Sequence, residues 1–590
     1  MMIAALATAL QPVWGTPASV KQAASSKPMA LTLVALNDFH GNIMPPSGSI
    51  LAPDADQPKG TRVLAGGAAY LSTLVRQIRA TNPGGTWVVA AGDMVGASPL
   101  ASNLFHDEPT IDVLNTIGLD FSSVGNHEFD RGRDELLRMV KGGCYPLSAD
   151  GSTGLVGKDT CMNQGRFRGA KFQYLAANVV DEASGNTLLP AYAIRGYGKA
   201  RVAFIGLTLK NTPTIVNPGG VRGLRFDDEV ETVNRTVQLV RSAGATVVVV
   251  LIHQGGQTSA RTVQDKSCPN FSKEMADMVD RFDPAVNVVV SGHTHQEYVC
   301  FRPDGKLVTQ TGSYGRLVTR IDLLLDAQTG KVLSKDANNL LVVNGQAKDA
   351  NGETIALPRG LQPLRADPAI ERIVHRYGDL TASIADTVVG RVSTPLERRA
   401  SAAGESSLGA VIADTYLAAT SDPSLGSQAA QIAFTNRGGL RADLGAGSAV
   451  TFGELFSVLP FNNQLVTMTL TGEQIRRLLE QQWEKSPAQN LEVSQGFSYT
   501  WDAKHSADAT AGAGGRVVPG SIALNGVPLE PTKTYRVAVN DFIANGGDGY
   551  TVLREGTDTV VGDTDLLAAK LYFRVHGVVT APAPRITRLN

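Results

Sequence analysis

Through the first half of the chain, short apolar runs rich in β-branched residues alternate with amphipathic stretches. Leu31–Leu36, Trp87–Ala91, Phe121–Val124, Thr246–Ile252 and Val286–Val290 predict buried strands. Between them, Ala68–Ile78, Asp228–Ser242 and Phe271–Phe282 carry helical periodicity. Strand and helix in turn, over about residues 31–343, predict an α/β layered domain with its active residues on loops. Gly, Asn, Asp and Pro gather over Asn344–Arg365 and mark a boundary, after which Ala369–Ala385 returns to a helical period as a connecting helix. A second domain from about Val388 carries its own signals. Leu465–Leu470 alternates like a strand, Thr471-Gly472-Glu473-Gln474 offers a capping box opening a helix over Gln474–Trp483, and strand Tyr535–Asn540 runs into the loop Asp541–Gly549. Ala503–Pro519 reads as an exposed loop, and no internal repeat is found.

At 590 residues the chain exceeds what one hydrophobic core supports, so the two-part reading agrees with its length. Composition is that of a soluble globular protein, with 43% apolar and 18% charged residues. A net charge of -1 speaks against a polynucleotide partner, which would call for a basic surplus. It leaves room for a few Arg aimed at one phosphate. Met1–Leu10 resembles the apolar core of a secretory signal, with small residues following to Ser26 and no basic start, so residues 1–27 are read as an export segment. The cysteines form two sequence-local pairs without CxxC spacing. Pairings Cys144–Cys161 and Cys268–Cys300 would suit an oxidising, periplasmic or secreted setting; four buried thiols are the alternative. No other apolar run approaches the ~18–20 residues of a membrane span.

Candidate chemistry lies where the predicted strands end. The motifs are Asp38-Phe39-His40, Gly92-Asp93, Gly125-Asn126-His127-Glu128, then His253 and Gly292-His293-Thr294-His295. Carboxylate, amide and imidazole groups gathered at strand ends suit two divalent transition metals, with Zn, Mn, Co or Fe all compatible. Asp38, His40, Asp93 and His295 are assigned to one ion, and Asp93, Asn126, His253 and His293 to the other, with Asp93 bridging. A hydroxide between two such ions is a nucleophile for in-line attack on phosphorus. In the second domain, Asn436-Arg437-Gly438-Gly439-Leu440-Arg441 lets backbone approach an anion while Arg441 offers a bidentate fork.

This ordered set resembles the calcineurin-like metallophosphoesterase signature. With the second domain, the chain is similar to the 5'-nucleotidase / UDP-sugar hydrolase / 2',3'-cyclic phosphodiesterase family over nearly its whole length. Met94-Val95-Gly96-Ala97 after the Gly-Asp motif holds no Tyr, which separates it from purple acid phosphatases. The resemblance implies a four-layered α/β/β/α metal domain (28–350), a linker and connecting helix (351–387) and a smaller α+β substrate-binding domain (388–590). It implies a nucleotide or related small phosphate ester as substrate. His127 is expected to stabilise the transition state and protonate the leaving oxygen, with Asp130 orienting it. By the same resemblance Asn436 and Arg441 contact substrate, Phe461 and Phe542 sandwich the base, and Asp548 binds the ribose hydroxyls. The linker Leu357–Ala385 is expected to act as a hinge.

One departure concerns phosphate recognition. Family members usually carry an Arg shortly before the segment matching Glu405-Ser406-Ser407-Leu408-Gly409; here Ser401-Ala402-Ala403-Gly404 stands there, and Arg398 and Arg399 are the nearest candidates. Glu405 near the phosphate would favour a less charged ester. Nucleotide-sugar hydrolysis or cyclic phosphodiester hydrolysis at the same site is therefore the alternative to 5'-nucleotidase activity. A sulfate-ester-type thiohydrolase would have little need of the two Phe positions. An alternative of another class is a non-catalytic binding protein stabilised by metal.

Overall fold

Two six-stranded sheets stack face to face in the first domain. One runs in the order Val332–Leu341, Leu317–Leu325, Met29–Leu36, Thr86–Ala91, Phe121–Ser123 and Gln173–Leu175, its last four strands parallel. The other runs Glu297–Phe301, Leu307–Thr311, Val286–Ser291, Val247–Ile252, Ala200–Leu207 and Tyr192–Tyr197, its central four parallel. Side-chain alternation assigns each residue to a layer. Leu31, Leu33 and Ala35 meet Phe204, Val249 and Val290 between the sheets. Val34, Leu36, Val88 and Ala90 point outward onto helices Ala68–Thr81 and Glu108–Ile117. On the far side, Ala203, Ile205, Val248 and Val250 meet helices Glu229–Ser242 and Lys273–Asp280. The domain is a four-layered α/β/β/α stack, and its central strands read as unbroken apolar runs because both faces are covered. The helix expected from Phe271 begins at Lys273 instead, after Ser272 turns extended, and Phe271 lies against Tyr298.

This computed structural model describes residues 27–590 apart from 58, 149, 150, 152, 350, 351, 423–425, 427, 446, 448, 485–487 and 507–514. Nearly all of the expected export segment and half of the Ala503–Pro519 loop lie outside the described residues. Both expected disulfides, Cys144–Cys161 and Cys268–Cys300, are formed, so the buried-thiol alternative falls. Among the described residues no helix is long and apolar enough to cross a membrane.

The smaller domain is built on a five-stranded sheet in the order Leu491–Val493, Ile432–Asn436, Thr534–Asn540, Gln464–Thr471 and Thr557–Thr564. Helices Ser407–Thr420 and Asp565–His576 cover one face through Val411, Tyr416 and Phe573 packed near Ala538. Helix Gly472–Glu480 covers the other through Ile475 and Leu478 against Val537 and Val539. Thr471 and Gln474 form the capping box, so this helix opens at Gly472, and its end tightens into a 3-10 turn over Gln481–Trp483.

Helix Pro368–Ala385 joins the domains. Ile370 and Tyr377 are buried in the first domain's helical core. Asp367 accepts a 2.6 Å hydrogen bond from the Ser72 hydroxyl, and its amide donates to Ala69 O. The helix is therefore docked on the first domain, while its last residue, Ala385, also lies against Gly453 of the smaller domain.

Candidate metal site in the interdomain cleft

All the candidate ligands lie in loops leaving the parallel strands, and the two sheets bring those loops together. His253 Nε2 stands 3.0 Å from Asp93 Oδ2 and 3.1 Å from Asn126 Oδ1, and His293 Nδ1 is 3.2 Å from the same amide oxygen. Opposite, His295 Nε2 is 3.2 Å from both Asp38 Oδ1 and His40 Nε2, while His40 Nε2 is 3.7 Å from Asp93 Oδ2. Asp93 lies within ligand distance of His253 and His293 on one side and of His40 and His127 on the other.

Asp38, His40, Asp93, His293 and His295 have φ of 48°, 47°, 52°, 73° and 54°. This left-handed backbone costs a residue with a β-carbon roughly 1–2 kcal/mol. Interlocked loops hold it in place: the amides of Asp38 and His40 donate to the carbonyls of Gly92 and Asp93, and the Tyr314 amide donates to Asp38 O. At Gly125 a β-carbon would come within 2.1 Å of Asp93 Oδ1, so only glycine lets the two loops close.

The donor chemistry fits divalent cations. His40 and His253 face the carbonyls of Gly96 and Ala91 through Nδ1, at 2.9 and 2.8 Å. Those hydrogen bonds place the proton on Nδ1 and turn the Nε2 lone pairs inward. Together with Asp38, Asp93 and the Asn126 oxygen, they make an inner surface of electron-pair donors that repel one another unless positive charge lies among them. Burial would lower the His253 pKa, yet Asp93 beside it outweighs burial and lifts it to about 10, so a proton on Nε2 supplies that positive charge until a cation takes its place. Burial likewise disfavours an ionised Asp93, but His253 and His127 hold its carboxyl well below the usual range. An oxygen and nitrogen set without sulfur suits ions of the Zn, Mn, Co or Fe kind.

Next to these ligands, His127 Nδ1 is 2.9 Å from Asp130 Oδ2, and the His127 amide donates to Asp93 Oδ1 at 2.9 Å. Burial would lower the His127 pKa, but Asp130 and then Asp93 raise it above its ordinary value. Glu128, whose part the sequence left unassigned, accepts from the amides of Asp93, Met94 and Gly125 at 2.9, 2.8 and 2.6 Å and staples the two ligand loops. Tyr314, missed in the sequence, sets its ring edge-on 5.8 Å from His40 and 5.5 Å from His295.

The smaller domain supplies the opposite wall. Asn436 Nδ2 donates to Asp548 Oδ2 at 2.7 Å, and Asn540 Nδ2 donates to Asn436 Oδ1 at 3.0 Å. Phe461 lies nearly parallel to His127 with centroids 5.6 Å apart. Phe542 packs on Gly547, where a β-carbon would come within 2.5 Å of the ring. Arg441 Nη2 reaches to 3.5 Å from His40 Nε2. Arg398 donates to Arg441 O at 3.2 Å, which places its guanidinium beside that of Arg441, whereas Arg399 is exposed. Asn126, His127, Asp130 and His293 share one cleft of about 940 Å³ with Asn436, Arg441, Phe461, Phe542 and Asp548. Glu405 is not among its lining residues. Its carboxylate accepts from the amides of Arg585 and Ile586 and so ties down the C-terminal strand.

Comparison with known proteins gives an independent reading. The family model described as Calcineurin-like phosphoesterase matches residues 31–297, and that described as 5'-nucleotidase, C-terminal domain, matches residues 388–555. Over 556 residues the chain is 28% identical to Endonuclease YhcR of Bacillus subtilis (strain 168), a match spanning 94% of this chain and 40% of that protein. Over 579 residues it is 26% identical to the snake venom 5'-nucleotidase of Naja atra, spanning 93% of this chain and 96% of that one. The crystal structure of a 5'-nucleotidase precursor from Thermus thermophilus aligns with a TM-score of 0.71 at 27% identity, covering 95% of this chain and all of the other.

Proposed function

The chain belongs to the 5'-nucleotidase family of phosphoric ester hydrolases, and on that premise we propose that it hydrolyses nucleotide phosphomonoesters in the interdomain cleft, outside the cytoplasm. One observation carries the reading: acceptor-rich strand ends and an arginine- and phenylalanine-bearing wall of the other domain line the same cleft. Asp38, His40, Asp93 and His295 would hold one divalent cation, and Asp93, Asn126, His253 and His293 a second. Such cations, when bound, lower the pKa of water toward neutrality and polarise phosphoryl oxygens.

The remaining work falls to the protein. Arg441, with Arg398 beside it, meets the phosphoryl oxygens and offsets the charge that builds on them. His127 carries its proton on the ring face turned from Asp130 and delivers it to the departing oxygen; Asp130 keeps the ring charged and oriented. Phe461 and Phe542 stack the base, which tolerates any nucleobase at roughly 1–3 kcal/mol per ring. Asn436 and Asp548 hold the ribose hydroxyls. The two disulfides support an oxidising, exported setting.

Initial rates on AMP, UDP-glucose, 2',3'-cyclic AMP and p-nitrophenyl phosphate, each with Mn, Zn or Co supplied, test the reading. AMP should give the highest kcat/KM. Turnover of p-nitrophenyl phosphate alone would overturn the nucleotide assignment, and no turnover with any ion would favour a non-catalytic binding protein.

A further inference from the structure

The loop that carries Asp93 runs on into a short helix, Leu100–Asn103, which has no part in the proposed reaction. At its near end the chain is fixed to the first domain. Gly96 O faces His40 Nδ1, and the Ala97 amide donates to Asp130 Oδ2 at 3.2 Å. The helix itself reaches the smaller domain. Leu100 is only 4% exposed and is buried in that domain's core, in the cluster that holds Phe456 and Leu459, while Leu104 lies against the cores of both domains.

Asn103 closes the helix and joins the two domains by hydrogen bonds of opposite sense. Arg131, next to Asp130 in the chain, donates through Nη2 to the backbone O and to Oδ1 of Asn103 at 3.2 and 3.0 Å. Asn103 Nδ2 in turn donates to Pro460 O at 3.3 Å. A guanidinium only donates and a carbonyl oxygen only accepts, so the orientation of the Asn103 amide is fixed, and the position calls for an acceptor and a donor on one short side chain. Pro460 O belongs to the peptide that leads into Phe461. That peptide has no other hydrogen bond among the described residues, and Pro460 has no amide hydrogen of its own. On the other side of Phe461, Asn462 stands in left-handed backbone at φ 52°. The peptide is planar, so holding its oxygen holds the plane from which the Phe461 side chain departs. That ring is the one that lies nearly parallel to His127.

We infer that Asn103 is a positioning residue for the nucleoside: through Pro460 O it holds Phe461 in its base-stacking place, in register with His127 and Asp130. It touches no reacting atom and acts only through the ring. With the link intact, the base meets a ring already in place; without it, ordering the Pro460–Asn462 turn is charged to binding, and the loss appears in KM. This inference rests on the nucleotide reading, because only an ester that carries a base uses Phe461.

The test is Asn103→Asp, which keeps the acceptor for Arg131 but sets an oxygen against Pro460 O. Rates are measured with Mn, Zn or Co supplied, on AMP and on ribose 5-phosphate, an ester of the same sugar without the base. For AMP, KM should rise at least about fivefold while kcat stays within about twofold. For ribose 5-phosphate both constants should stay within about twofold, which also shows that the variant folds. Asn103→Ala, free of the added charge, should show the same split. In a Phe461→Ala background the Asn103 substitutions should have no further effect on AMP, because the ring they position is gone. Equal losses on the two esters, an unchanged KM for AMP, or a full further loss in the Phe461→Ala background would overturn the role of Asn103. A wild type that handles AMP no better than ribose 5-phosphate would strike the nucleotide reading and this role with it; where the wild type prefers AMP, the variants decide on Asn103 alone.

Discussion

In the proposed mechanism, three residues of spacing let Asp130 orient His127 as the proton donor. Burial would lower the imidazole pKa, but the 2.9 Å contact with Asp130 raises it above its ordinary value, which favours the charged ring that the proposed proton transfer uses. Its amide holds Asp93, but its side chain is no part of the proposed ligand set. His127→Ala should therefore keep full metal content by elemental analysis while kcat falls by about 10²–10⁴. Activity within a few-fold of the wild type would remove His127 from the chemistry. At this scale the sequence was informative because ligand type and order are local properties. Tyr314 and Arg398 were harder to assign, since a ring edge against two histidines and a guanidinium beside Arg441 depend on loops far apart in the chain.

Helix Ser407–Thr420 carries a pH-sensitive attachment. Its N-cap Ser406 is held through both amide and hydroxyl by Glu492, whose pKa burial pushes up to about 7. Unfolded, Glu492 ionises near 4.5, so between that pH and 7 the folded chain keeps a proton the unfolded chain has released. Stability falls as pH rises through this window, by roughly 3 kcal/mol once pH exceeds 7. Glu492→Gln should narrow the difference in thermal midpoint between pH 5 and pH 8; an unchanged difference would mean that another group dominates. The Cys144–Cys161 loop makes a second prediction at this scale. Closing a 17-residue separation contributes about 3 kcal/mol by chain entropy. Replacing both cysteines by serine should lower the first domain's melting temperature, and calorimetry showing no shift would contradict that contribution.

In the whole molecule, the active cleft exists only because two separately built domains face each other. Helix Pro368–Ala385 is docked on the first domain. Cation removal should act on one domain: EDTA should abolish turnover and lower the first domain's unfolding transition, because ions bound to the native state stabilise it by mass action. The smaller domain, whose core shares no ligand with the site, should melt unchanged. Scanning calorimetry with and without EDTA checks this, and a common shift of both transitions would contradict it.

The sequence by itself determined the alternation of strands and helices, the capping box at Thr471, the cysteine pairs and the ordered strand-end residues. Each is written in nearest-neighbour pattern or spacing, which backbone geometry translates directly. Tertiary structure decided the rest. It docked helix Pro368–Ala385 on the first domain, tied Glu405 to the C-terminal strand, and brought Arg398 to the backbone oxygen of Arg441. Those outcomes depend on which distant surfaces bury one another, and no local pattern in the chain encodes that choice.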